Sequence, residues 1–360
     1  MLHCVAKIEF FRSLFSERWR TGFILSVLLW LAVAPAMAAR ASEETAAPSE
    51  PGTLEDSSAP AAPLPLISDS PLFKVGTMHC IVDDYDGVSL SKPTRVAIDS
   101  VRSEIYVTDS GHARILVYTY DFYPLLAIGA SEGMETPMGV AVDKDGYVFV
   151  AQARGVDKRG ARITVLTPAL TWSRDIHVAG FEGSEGFQPR NITLDDNGGI
   201  YVAGDFPGVV VLDRKAGFIR LLQPIDTLGK EQPHPVMMND VAVDGKGRVF
   251  LLSEEMGRVY VYDAQGEFLF KFGEKGGGPG KLSRPRGIAV DRRSGRVYVT
   301  DYMRHAVNIY AADGGYLSEF GGKGWLLGWF QFPSDVGVDA SGNVLVADTF
   351  NNRVQVLQVK

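Results

Sequence analysis

Along most of the chain, apolar side chains alternate with small or polar ones in short runs, the period of two that half-buried strands produce. The last stretch shows it best. Val336 and Val338, then Val344 and Val346, then Val354 and Val356 alternate in this way and predict three strands. Asp339-Ala340-Ser341-Gly342-Asn343 supplies a tight turn between the first two, since Gly and Asn accept the backbone angles a short hairpin loop needs. A second loop, Asp348-Thr349-Phe350-Asn351-Asn352, leads to the third strand.

The same pattern is written five more times upstream. The counterparts of Asp339 are Asp99, Asp143, Asp195, Asp244 and Asp291, at intervals of about 44 to 52 residues, a length that suits a four-stranded propeller blade. Complete copies carry a fourth strand, as in Glu267-Phe268-Leu269-Phe270-Lys271-Phe272-Gly273, and the last copy has none. Leu72-Phe73-Lys74-Val75-Gly76, ahead of the first copy, reads almost like Leu269 to Gly273. It is expected to pair with the last blade, because an open ring would leave strand edges unpaired. The fold expected is therefore all-β, a six-bladed β-propeller of four-stranded antiparallel blades, closed by an N-terminal strand in the last blade.

The order Pro-x-Gly-Val-Ala-Val-Asp, then Val-Tyr-Val-x-Asp, then Asn-x-Arg-Val-x-Val resembles the NHL repeat, and the resemblance covers residues 71–360. No Trp-Asp occurs, and neither Gly-His nor paired glycines recur at a fixed place from copy to copy, as the signatures of WD40 and kelch blades do. The second copy departs by an insertion at 154–160, the third is shorter and lacks the Arg, and the fourth has Ser253 in place of Asp. These changes fall in loops. A shorter likeness joins Met238-Asn239-Asp240-Val241-Ala242-Val243-Asp244 to gluconolactonase-type propellers, in which inward Asn, Asp and Glu hold a divalent ion. Here Arg95 stands where that family has Glu, and Gly287 interrupts the ligand positions.

In such a fold the first strand of each blade lines the axial channel, and ligands are expected at the top face, where the loops entering those strands converge. The residues at that mouth form two rings, Thr94, Met138, Arg190, Asn239, Arg286 and Ser334 two places before the first-strand valine-like position, and Arg95, Gly139, Asn191, Asp240, Gly287 and Asp335 immediately before it. Arg95, Arg190, Asn191, Asn239, Asp240, Arg286 and Asp335 are the candidate ligand-binding residues. Asn191, Asp240 and Asp335 offer hard oxygen ligands of the kind Ca²⁺ or Mg²⁺ selects, whereas Arg95 among them would neutralise the carboxylates as a buried-charge network. No other cofactor is expected. His79, His112, His177, His234 and His305 are scattered singly, without a pair at zinc-ligand spacing. The spacing of Asp109 to Arg114 and Asp348 to Arg353 predicts ion pairs that pin a loop. In Gly321 to Phe332, Trp325 and Leu326 are expected to stand exposed as anchors for a protein partner, with Trp329, Phe330 and Phe332 plugged between blades.

Charge and leader then narrow the role. A formal charge of −7 argues against a nucleic-acid groove. Residues 1–39 have a basic flank, the apolar run Phe23 to Val33 and Ala36-Met37-Ala38, the form of a cleaved signal peptide. Residues 40–70 shift to Ala, Pro, Ser and Glu, a disordered linker. Export to the periplasm or beyond is expected, with no membrane span after cleavage, and Cys80 alone leaves no intramolecular disulfide. The resulting expectation is an exported, monomeric, non-catalytic propeller that binds a protein partner or small-molecule ligand, such as a component of a cell-envelope complex. The alternative is a metal-dependent lactonase- or lyase-like enzyme.

Overall fold

The structure is a computed structural model that describes residues 73–156, 159–229 and 232–360. The leader at 1–39 and the linker at 40–70 lie outside the described residues. Six four-stranded antiparallel sheets follow one another as blade 1 (residues 93–128), blade 2 (137–176), blade 3 (189–222), blade 4 (240–272), blade 5 (285–321) and blade 6 (335–359). The fourth strand of blade 6 is Val75–Ile81, which pairs antiparallel with Arg353–Val359. Val75 lies opposite Val359 and Ile81 opposite Val354, and Lys74 and Lys360 exchange two backbone hydrogen bonds of 2.7 and 3.0 Å. The expected N-terminal closure is thus present. It runs past Gly76 to Ile81, with a register shift between Thr77 and His79.

Alternation alone would make one face of each sheet apolar and the other polar, yet the middle strands, such as Val148–Gln152, are buried throughout. The reason is that each blade packs both faces against neighbours. Six apolar clusters form, one at each junction: Ile192 and Val202 meet Ala151 and Ile163 between blades 3 and 2, and Val336 meets Val307 and Tyr298 between blades 6 and 5. Phe73 and Val75 join the cluster between blades 5 and 6, while Ile81 joins the one between blades 6 and 1. Burying each of those side chains contributes about 1.5–3 kcal/mol. Among the described residues no helix is long and apolar enough to cross a membrane.

The repeated Asp at the end of each inner strand is a turn former. In Asp143, Asp195, Asp244 and Asp339 one carboxylate oxygen accepts the N–H groups two and four residues on, at 2.8–2.9 Å. A carboxylate in that place satisfies the turn's backbone donors and fixes the hairpin. The Asp-Arg spacing also acts as expected: Arg114 Nε reaches Asp109 at 2.9 Å, and Arg353 Nε reaches Asp348 at 2.8 Å.

Candidate functional site: the axial channel and the top face

The inner strands Pro93–Asp99, Pro137–Val142, Pro189–Leu194 and Pro285–Val290 each skip one residue of register just after their proline, opposite the second strand of the blade. Such a bulge re-aims side chains. The skipped residues are Thr94, Met138, Arg190 and Arg286, and the residues after them are Arg95, Gly139, Asn191 and Gly287. The two rings read from the sequence therefore sit at two levels, the first at the top mouth and the second inside the channel.

At the inner level Arg95 reaches across the ring from blade 1 to Asp240 of blade 4, at 3.2 Å, and to Asp335 of blade 6, at 3.3 Å. Asn191 donates its amide to Asp240. Each carboxylate also accepts an inner-edge backbone N–H from the next blade, Asp240 from Ile288 at 2.8 Å and Asp335 from Val96 at 2.9 Å. Those N–H groups face the channel, where no fifth strand can pair them. The two glycines of the ring make room for this arrangement. A Cβ on Gly287 would stand 2.5 Å from Asp335 Oδ1, and one on Gly139 2.6 Å from Asn191 Oδ1.

Burial works against charge on all three ionisable groups, with different outcomes. It would lower the Arg95 pKa, but the attraction of Asp240 and Asp335 outweighs it and raises that pKa further. For Asp240 burial prevails over Arg95 and the pKa rises. Asp335 is pushed up to about 7 by burial, helped by the Asp240 charge and opposed by Arg95.

This arrangement does not fit a divalent ion. The guanidinium stands between the two carboxylates where a metal would have to stand, and Asn191 presents its amide N–H₂ to Asp240. Among the described residues no group of three or more His, Cys, Asp or Glu could hold a metal ion. Asn191, Asp240 and Asp335 are brought together as expected, as members of the neutralising network.

Of two open spaces, one lies away from the expected top mouth and one lies on it. A cavity of 490 Å³ extends from the Arg95 network toward the opposite, hairpin end of the channel, and its lining includes Asp99, Asp143, Asp195 and Asp339 but none of the outer top-mouth ring. Arg95, Asn191, Asp240 and Asp335 form its floor rather than the rim of a top mouth. On the top face a second cavity, of 390 Å³, is lined by Arg190, Asn239, Met237, Glu254, Glu255, Lys275 and Arg284. Glu254 pairs with Arg284 at 2.7 Å and Arg286 at 2.8 Å, and Asn239 caps Glu254 N–H at 2.6 Å. Arg286 also lies over the Tyr302 ring, 4.8 Å from its centre. Burial holds the Lys275 ammonium below its ordinary value, against the pull of Glu254. Glu254, Lys275 and Arg284 escape a reading confined to the inner strand, because they come from the loops after the second and fourth strands.

The connection into blade 6 displays Trp325, Leu326 and Trp329 at 55, 53 and 39 % exposure. Trp325 and Leu326 stand out as expected. Trp329 does not plug between the blades, whereas Phe330 is fully buried and Phe332 partly so. The loop is held firmly from below. Arg353 donates to the carbonyls of Leu326 and Trp329 at 2.9 and 3.0 Å, Gln355 to Trp329 at 2.7 Å, and Asn351 to Gly324 at 2.9 Å. His305 is buried beside it and its Nδ1 accepts the Phe332 N–H at 3.0 Å, while His234 pairs with Glu255 at 3.0 Å.

Residues 238–321 match a family model described as a 6-bladed beta-propeller, and residues 330–357 match the NHL repeat. No curated protein matches the sequence. Among solved structures, a protein of unknown function from Bacteroides thetaiotaomicron superposes with a TM-score of 0.60 at 15% identity, covering 80% of this chain and 76% of that one. A gluconolactonase from Xanthomonas campestris gives 0.57 at 14% identity, covering 84% and 99%. A chain of a nidogen/laminin complex gives 0.50 at 19% identity, covering 65% and 81%. At these identities the likeness is one of fold. The chain is a six-bladed β-propeller that carries an NHL repeat in its last blade.

Proposed function

We propose that this propeller is an exported, non-catalytic recognition module that captures a protein partner on its top face, with Trp325 and Leu326 as anchors. The observation that carries this reading is a comparison of two loops in one molecule. The connections into blades 5 and 6 share a frame: Lys275 bridges Leu282 just as Lys323 bridges Phe330, with the same spacing. Gly277, Gly278 and Lys281 in the first stand where the second has Trp325, Leu326 and Trp329. The backbone is thus formed equally well without large side chains. Trp325 and Leu326 serve no need of the loop, and rigid anchors of this type dominate protein interfaces. The gluconolactonase likeness supplies no active-site chemistry, since a guanidinium occupies the space between the carboxylates.

Trp325→Ala and Leu326→Ala tested side by side with the parent chain decide the matter. Crosslinked partners should be lost from both variants while the thermal melt stays within about 2 °C, as expected for surface changes. A large fall in the melt would assign these residues to the core. One stoichiometric divalent ion in the purified chain, lost on Asp240→Ala, would favour the enzyme instead.

A further inference from the structure

The cavity beneath Arg95 is graded in chemistry along the axis. Its volume of 490 Å³ lies within the range that takes a small organic molecule. Partway along stands a ring of one aliphatic residue per blade, Ile98, Val142, Leu194, Val243, Val290 and Val338. All but Val243 are left partly exposed. Eight carboxylates and four cationic side chains line the space, and one of the cations, Arg292, is already paired with Asp196 at 2.8 Å. An apolar channel with a surplus of negative charge concentrates cations.

The floor offers a specific acceptor. An ionised carboxylate has room for about four donors. Asp240 has four, from Arg95, Asn191 and the N–H groups of Val241 and Ile288. Asp335 takes Arg95 and the N–H groups of Val96 and Val336, which leaves one place open. We infer that the channel is a binding site for a primary amine with an apolar body, the ammonium donating to Asp335 and the body lying against the aliphatic ring. A carboxylate ligand would meet a guanidinium already held by two carboxylates, inside walls of like charge. A neutral alcohol would gain the walls without the ion pair. The site uses the end of the molecule opposite Trp325 and does not depend on the top-face reading.

Titration calorimetry of the whole chain at pH 7 in phosphate, with hexylamine, hexanoate and hexanol as probes, tests this directly. Hexylamine should bind at least tenfold tighter than either of the others. Asp335→Asn should weaken it tenfold or more, and Leu194→Trp, which fills the half-exposed wall without touching the network, should abolish it. Trp325→Ala should leave it unchanged, which keeps the two readings separable. Equal binding of hexanoate or hexanol, undiminished binding by folded Asp335→Asn or by Leu194→Trp, or no binding of hexylamine at 10 mM would each overturn the inference. If Asp335→Asn fails to fold, the three-probe comparison and Leu194→Trp decide.

Discussion

Arg95 carries the only positive charge in a group with two buried carboxylates, so its removal would leave them uncompensated. Breaking a buried ion network by removing one partner typically costs 3–5 kcal/mol. Because Arg95 keeps 14% of its side chain exposed and Asp335 can take up a proton, the lower end applies: Arg95→Ala should destabilise the chain by about 3 kcal/mol in urea unfolding. Asp335 adds a pH signature. Its folded pKa near 7 lies above the ordinary value of 3.8, so between those values the folded chain holds a proton that the unfolded chain gives up. The unfolded state then binds fewer protons, and this residue's contribution to stability falls as pH rises from about 4 to 7 and is flat above. Asp335→Asn cannot ionise. Its stability relative to the parent should therefore climb between about pH 4 and pH 7 in paired urea melts, and a constant difference would contradict the raised pKa. These residues were legible in the sequence as a ring of polar positions before the first-strand valines. What could not be read is that the bulge after the proline separates that ring from the one above it, because a bulge depends on pairing with the second strand.

At the scale of elements, the strands and their turns were legible because each blade repeats one binary pattern with Asp and Gly at fixed offsets. The loops were legible only where a repeat broke. The connection into blade 6 stood out by its Trp and Leu content, yet the split between buried Phe330 and exposed Trp329 depends on Gly321 and Gly322, where a Cβ would stand 2.7 Å from the Phe330 ring and 2.8 Å from the Trp329 ring. Of the top-face cavity Arg190 and Asn239 were legible as mouth residues, whereas Glu254, Lys275 and Arg284 were not, because they share no periodicity. The N-terminal strand was legible from its likeness to Leu269 to Gly273, and its energetic role follows from what it buries. Deleting residues 73–81 uncovers the edge of Arg353–Val359 and removes Phe73, Val75 and Ile81 from two junction clusters. At about 1.5–3 kcal/mol for each side chain, the melt should drop by well over 10 °C or the chain should aggregate. An unchanged melt would show that the ring holds without it.

Across the whole molecule, the six junction clusters make each blade depend on two neighbours, and the guanidinium that spans from blade 1 to blade 4 ties opposite sides of the ring. The two proposed recognition sites occupy opposite ends of this frame, so substitutions at one should leave the other intact. Val75 and Val359 stand side by side although nearly the whole described chain separates them in sequence. Bringing such distant segments together carries the largest loop-closure entropy in the fold. Five blades can assemble from neighbours as the polypeptide emerges, but the seam cannot be sewn until its far end has been synthesised. Amides of Val75–Ile81, and those amides of Arg353–Val359 that pair with it rather than with Asn343–Asp348, should therefore be the last strand amides to gain protection in pulsed hydrogen exchange during refolding, and until then the newborn protein exposes a sticky margin to every other copy in its vicinity.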